Sequence, residues 1–270
     1  MTIALALAAP AWPAAAADFP VEPVYARPAV VIFRWTGVYL GVHVGGGRGF
    51  VDENSVPLTG APGFAGFTPA SQIVPLPTSI GPGGWLAGGQ IGGNYQIESW
   101  VIGIEAQASW ASFNGSSTCA ANLNQPGAPP IALTANCTTK LDSLGTAALR
   151  LGWAFDHLLL YGKGGAAWTN NSHQVNFNIP FGLTTIPGGL LLMSTNELRW
   201  GWMAGVGVEY AFTDNWSAKI EYNYMDLGAD ALQLTENRGL VYMNANFRER
   251  LNVVKVGVNY RFGPPPLLIK

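Results

Sequence analysis

Seven ionisable residues stand inside otherwise apolar or glycine-rich segments: Glu105, Arg150, Lys163, Glu209, Lys219, Glu221 and Lys255. Carboxylates and cations interleaved in this way suit one of three kinds of chemistry. They can pair structurally, line an ion path, or do acid and base work at a site where burial shifts their protonation. With cations scattered among the carboxylates, pairing is the reading the residues favour, and an ion pathway is its functional rival. Other reactive groupings are missing from the sequence. The three histidines, His43, His157 and His173, are scattered, and no G-x-S-x-G nucleophile elbow occurs. Glycine clusters such as "GGQIGG" and "GKGGAAW" lack the strand-to-helix setting of a phosphate loop. No cofactor and no metal site is expected.

The segments carrying these charges alternate with a period of two, the mark of a strand with two unlike faces. Eight such segments are predicted: 35–45, 85–96, 100–113, 141–155, 158–169, 198–212, 216–225 and 251–262. In "VIGIEAQASW", Ile102, Ile104, Ala106, Ala108 and Trp110 share one face, with Gly103, Glu105, Gln107 and Ser109 on the other. In "WSAKIEYNYM", Trp216, Ala218, Ile220, Tyr222 and Tyr224 oppose Lys219 and Glu221. In "NVVKVGVNYRF", Val254, Val256, Val258, Tyr260 and Phe262 oppose Lys255, Gly257, Asn259 and Arg261. The connections alternate too. "IES", "DH" and "TDN" are tight, whereas 46–84, 114–140, 170–197 and 226–250 are long, polar and read as solvated, mobile loops.

Only 11% of the 270 residues are charged, against roughly a quarter in an ordinary soluble domain. The formal charge of −2 gives no reason to expect a nucleic acid. After residue 17 no apolar run reaches the 18 or so residues of a spanning helix, so a membrane life would have to be led by strands. Energetics choose the faces. A Lys or Arg at the midplane of a membrane barrel costs about 2–4 kcal/mol, and several such errors would exceed the stability of a typical domain. The charged parity is therefore expected to line the lumen. A soluble barrel of the lipocalin kind would invert the arrangement, but Trp35, Trp85, Trp100, Trp110, Trp153, Trp168, Trp200 and Trp216 lie at or beside strand ends, as an interfacial aromatic girdle requires.

Together these features predict an all-β, eight-stranded antiparallel up-and-down transmembrane barrel over 35–262, with short periplasmic turns and four long extracellular loops. Measured from the short turns, Glu105, Arg150, Lys163 and Glu221 lie about five residues into their strands, with Lys219 just below and Lys255 just above. Side chains can fill an eight-stranded interior. A cross-lumen network of Glu105, Glu209 and Glu221 with Arg150, Lys163, Lys219 and Lys255, completed by Gln90, Gln107, Asn223 and Asn259, would then plug the barrel. Inward glycines 41, 88, 92, 103, 152, 201, 205, 207 and 257 would give the long side chains room.

At the ends, "MTIALALAAPAWPAAAA" (1–17) has the apolar run and Ala15-Ala16-Ala17 site of a secretory signal removed on export through the Sec pathway, although without an n-region Lys or Arg. Residues 18–34 read as a Pro-rich periplasmic linker and 263–270 as a tail. In an oxidising compartment Cys119 and Cys137 are expected to form a disulfide, the alternative being two free thiols.

"WTGVYLGVHVGGGRG" (35–49) and "VVKVGVNYRF" (253–262) resemble the opening and closing strands of the small porin-like outer-membrane β-barrel family of alpha-proteobacteria, related in architecture to the OmpA-like transmembrane domain and the opacity-type surface proteins. "FPVEPVYARP", "LLLYGKGGAAW" and "GWMAGVGVEYAFTDNWSAKIEYNYMDLG" are similar to it as well. The resemblance implies an outer-membrane envelope component, surface antigen or small porin among outer-membrane lipid and lipopolysaccharide, inserted by the barrel-assembly machinery. It carries no catalytic residues. Some members of such families bind haem compounds or host surfaces through their loops. A loop-borne receptor or adhesin, motivated by the four long loops and the expected disulfide in the second, is the second expectation, and a barrel enzyme such as a lipase or protease is a third. The family usually ends on an aromatic residue, whereas this chain runs past Phe262 with "GPPPLLIK".

Overall fold

A computed structural model describes residues 30–55, 58–59, 72–76, 78–124, 127, 129–178, 190–236, 242–263 and 267–269. The expected signal segment 1–17 and residues 18–29 of the expected linker lie outside the described residues. Eight long strands form the body: β1 (Gly37–Ser55), β2 (Gly83–Ile97), β3 (Trp100–Asn124), β4 (Ile131–Phe155), β5 (Leu158–Asn178), β6 (Leu190–Ala211), β7 (Trp216–Glu236) and β8 (Tyr242–Phe262). Each pairs antiparallel with its sequence neighbours, and β8 pairs back onto β1 from Phe262↔Val38 to Ala245↔Ser55. The sheet is closed. Closure removes the unpaired edges that backbone polar groups could not tolerate in lipid.

Alternation explains why these residues make strands. On β3, Ile102, Ile104 and Trp110 are half or more exposed, while Val101, Glu105, Gln107 and Ser109 are buried. The same inversion runs round the wall: Val42, Leu149, Val206, Ile220 and Val256 face outward, and no charged residue interrupts them. A wall apolar outside and charged inside is stable only in a hydrocarbon solvent. Among the described residues no helix is long and apolar enough to cross a membrane; the chain crosses with strands.

The tight ends turn where expected. Glu98 and Asp156 take the left-handed conformation, φ 53° each, in the β2–β3 and β4–β5 turns. In the β6–β7 turn Thr213 Oγ1 accepts the Trp216 amide at 2.9 Å. The other end differs from the sequence expectation. The alternating segments do not stop at bilayer length: β3 and β4 run 25 residues each, and β5, β7 and β8 run 21. Much of what reads as loop in 114–140 is a β-hairpin, with Asn114↔Lys140 through Leu123↔Ile131 in register. Within 46–84, Thr78–Ile80 pairs with β1 and Gln72–Pro75 with the upper part of β3. The physical reason is a change of outer solvent. Above the band the outward positions become Asn114, Ser116 and Thr118 on β3 and Thr134, Asn136 and Thr138 on β4, while Cys119, Ala121, Leu133, Ala135 and Cys137 stay inside. The period of two persists as the outward face turns from apolar to polar. Cys119 and Cys137 form a disulfide inside this hairpin, Cα atoms 5.9 Å apart.

Candidate functional site

The barrel interior is layered. At the short-turn mouth, Phe33, Trp35, Val101, Ala154, Leu159, Tyr161 and Ala211 pack into an apolar base. Trp35 corrects the sequence expectation. It precedes β1 rather than opening it, is 2% exposed, and lies inside the mouth instead of on the girdle. Its indole N–H donates to the Asp156 carbonyl at 3.0 Å and its amide to Gln96 Oε1 at 2.7 Å. Arg261 stacks over the Phe33 ring at 4.3 Å and donates to the Arg34 and Asp214 carbonyls, tying the 33–36 segment to the rim. Residues so placed need a hydrogen-bond partner for the indole and an apolar slot for its rings, and the mouth supplies both. Phe33 and Trp35 occupy the inside of that slot, which is why the segment cannot form part of the outer belt.

Above the base lies the charged layer. Glu105 accepts from Lys163 Nζ at 3.0 Å, Lys219 Nζ at 2.8 Å, Tyr39 Oη at 2.8 Å and Gln107 Nε2 at 2.8 Å, with Arg150 Nη1 at 3.4 Å. Glu221 takes the other side of both ammonium groups, Lys163 at 2.9 Å and Lys219 at 3.0 Å, and accepts from Tyr161 Oη at 2.6 Å. Glu209 binds Arg150 Nη2 at 2.7 Å, Ser217 Oγ at 2.6 Å and Asn259 Nδ2 at 2.7 Å. Arg150 lies over the Tyr161 ring at 3.9 Å. Seven strands, β1 and β3 to β8, thus meet through side chains on Glu105, Glu209 and Glu221. Each carboxylate oxygen accepts from at least one donor, which is the condition for burying ionised groups without a large desolvation loss.

The remaining members are placed less uniformly. Lys255 meets Gln107 Oε1 and has no carboxylate at ion-pair distance among the described residues. Gln90 donates to Asn259 Oδ1 at 2.8 Å and contacts His43 Nδ1, whose Nε2 reaches Ser109 Oγ at 2.8 Å. Asn223 is fully buried, but neither of its amide atoms has a partner among the described residues. It stands one inward position above Glu221 and does not complete the network. Two inward glycines serve their neighbours directly. A Cβ at Gly92 would collide with the Tyr39 hydroxyl, and one at Gly207 with the Tyr161 ring.

A second apolar layer closes the upper side: Leu86, Phe113, Leu141, Leu144, Ala148, Ala167, Met203, Met225, Leu227, Leu251 and Val253. Beyond it sits a polar cluster absent from the sequence expectation. Arg199 Nη1 is 3.8 Å from Glu249 and Nε 3.6 Å from Glu197, and His173 Nε2 is 3.4 Å from Glu197 with Nδ1 3.1 Å from Thr139 Oγ1. Asn171 donates to Glu249. The missed signal was the inward parity of Asn171, His173, Glu197 and Glu249, which lie in segments that their polar composition marks as loop. Tyr39 and Tyr161 were missed because an inward Tyr reads as apolar until its hydroxyl is seen among carboxylates. Among the described residues no three His, Cys, Asp or Glu side chains converge as metal ligands.

On the outside, Trp85, Trp100, Trp110, Trp153, Trp200 and Trp216 are 40–77% exposed, and Trp168 is half-buried across Gly145 of β4. Trp100 meets Trp153 at 4.7 Å near the short turns, Trp168 meets Trp200 at 5.3 Å towards the other end, and Trp202 joins Tyr224 there at 5.6 Å. On β3, Trp100 and Trp110 are ten residues apart, a rise of about 33 Å that a strand tilt of ~40° shortens to about 25 Å, the height of a membrane barrel's apolar band.

A closed eight-stranded sheet with lipid-facing apolar residues between aromatic belts and a charged interior defines an outer-membrane β-barrel. The chain belongs to the outer membrane protein beta-barrel domain family, which matches residues 2–262. It is 29% identical to the 31 kDa outer-membrane immunogenic protein of Brucella melitensis, over 92% of this chain and 93% of that one. The 25 kDa outer-membrane immunogenic protein of Brucella abortus is 24% identical, over 85% and 80%. Among solved structures, the outer membrane protein OprG of Pseudomonas aeruginosa aligns over 87% of this chain and 100% of its own, with a TM-score of 0.43 and 14% identity. The protein resides in the bacterial outer membrane, surrounded by its lipid.

Proposed function

We propose that the chain is a non-enzymatic surface barrel that contributes to envelope structure and whose lumen is closed to ions and small solutes. The observation that carries this is the succession of layers. An ion entering from the periplasmic mouth meets Phe33 and Trp35, then carboxylates already saturated by Lys163, Lys219 and Arg150, then the apolar layer around Phe113, Met203 and Met225. Either apolar layer would strip its hydration shell without replacement, a penalty of many kcal/mol for an unpaired ion. The wall meets lipid and lipopolysaccharide, and its insertion falls to the barrel-assembly machinery. Swelling of proteoliposomes in small sugars tests the proposal: the rate should equal that of protein-free liposomes, and a sugar-size-dependent rate would defeat it.

The upper hairpin favours a second reading, a loop-borne receptor or adhesin that binds a host surface or a small ligand such as a haem compound. Strands β3 and β4 rise above the band with a disulfide between them, a rigid platform for recognition. Deleting 114–140 and measuring surface or haem binding separates the two, since a purely structural barrel loses no binding.

A further inference from the structure

Among the described residues above the apolar band, the outward-facing cations are Arg48 on β1, Arg248 and Arg250 on β8, and Lys140 on β4. Three of the four therefore lie on two adjacent strands. Their register fixes their height. Arg48 pairs with Gly83, two residues above the Gly46↔Trp85 pair, and Arg250 pairs with Asp226, two residues above Tyr224↔Asn252. Trp85 is 60% exposed, and Tyr224 meets Trp202 in the same belt. Both arginines thus occupy the next outward position past the aromatic belt, about 7 Å further along the strand. That is the depth at which an outer-leaflet lipid carries its headgroup.

Their partners leave capacity. Arg250 Nη2 binds Asp52 at 2.7 Å and Arg248 Nη2 binds Asp226 at 3.2 Å, yet these side chains remain 37% and 56% exposed. Arg48 has no ion pair among the described residues, and its stem runs past Gly83, where the missing side chain leaves space. Arg48, opposite Asn252, and Arg250, opposite Phe50, are diagonal neighbours with Cα atoms roughly 7 to 8 Å apart, close enough for two guanidinium groups to share one tetrahedral anion. Phe50, 48% exposed between them on the sheet, offers apolar contact.

We propose that Arg48, Arg248 and Arg250 form a docking site for the phosphorylated headgroup of an outer-leaflet glycolipid, lipopolysaccharide, with Arg48 as its uncommitted cation. This rests on the reading of the chain as an outer-membrane barrel whose long connections face outward, and not on whether the lumen conducts. The full chain is refolded into nanodiscs containing lipopolysaccharide, the same lipid with its phosphates removed, or neutral phospholipid alone. The lipid retained per barrel is measured for wild type, for R48Q/R248Q/R250Q, and for K140Q. Wild type should retain the phosphorylated lipid, the triple variant should bind it at least about tenfold more weakly, and K140Q should match wild type. The dephosphorylated lipid should bind wild type no better than the phosphorylated lipid binds the triple variant.

Retention by the triple variant at the wild-type level, or indifference to phosphate removal, overturns the proposal. So does displacement of the lipid by an equal concentration of inorganic phosphate, which would make this a free-phosphate site. If the triple variant does not refold, as judged by its heat-modifiable gel mobility, R48Q alone decides, because it breaks no ion pair; unchanged retention in R48Q then overturns the proposal. Sugar-driven swelling of liposomes holding the same protein tests the closed lumen separately.

Discussion

Glu105 is the residue on which the interior turns. Three cations, Lys163, Lys219 and Arg150, lie within 3.4 Å of its carboxylate, and the side chain is 1% exposed. Removing its charge leaves these buried cations with fewer counterions. Glu105→Gln is therefore expected to destabilise the barrel by about 3–5 kcal/mol, read from urea unfolding of the refolded protein in detergent. Adding Lys219→Met should recover part of that loss, since it removes one stranded cation; a double variant no better than the sum of the singles would show that the two side chains do not couple. The parity of Glu105, Lys163, Lys219 and Glu221 was readable in the sequence because no charge falls on the opposite, outward parity of their strands within the apolar band. The pairing itself was not, because partners lie 58 and 114 residues apart and depend on barrel shear. Trp35 shows the limit at this scale. A Trp beside a strand end fits a girdle and a plug equally well, and only its indole N–H, bound to Asp156, decides. Trp35→Ala should cost about 3–5 kcal/mol, as for a buried aromatic residue, whereas Trp100→Ala, which stays in contact with lipid, should cost clearly less on the same assay.

At the level of elements, the three short turns and eight strands follow from the period of two and the tight connectors. Strand length does not. Polar outward residues such as Asn114, Thr118, Asn136 and Asn170 read as loop when only a lipid-facing strand is sought, although inward Cys119, Leu133, Cys137 and Val175 keep the alternation alive. The upper β3–β4 hairpin has water outside and a disulfide within, so it is expected to unfold independently of the membrane-embedded wall. Its disulfide closes a separation of 18 residues and contributes about 3 kcal/mol by the chain-entropy estimate. Under a reducing agent, protease should cut between 114 and 140 at least several-fold faster while the remaining barrel keeps its heat-modifiable mobility. Equal cutting rates with and without reductant would mean that the hairpin owes nothing to the bond. In the lipid-facing band the sensitivity is reversed. Ile220→Lys, at a position 52% exposed on the outer wall, should lower folding stability in phospholipid by about 2–4 kcal/mol.

For the whole molecule, composition and alternation identify the solvent outside, and the family match over residues 2–262 agrees. The layered interior was only partly legible. Apolar inward residues such as Met203, Met225 and Leu251 break the expected polar parity and look like exceptions along their own strands. Closure brings them together into one buried apolar cluster. The central claim is that this stack of base plug, ion-paired layer and apolar lid leaves no continuous path for ions. Single-channel recording of the refolded wild-type chain in a planar bilayer tests it most directly. A silent membrane under applied voltage, with no conductance steps above the protein-free baseline, is the predicted result. Discrete, reproducible steps whose size or ion selectivity changes in Glu105→Gln would contradict it, because current would then be passing through the charged layer.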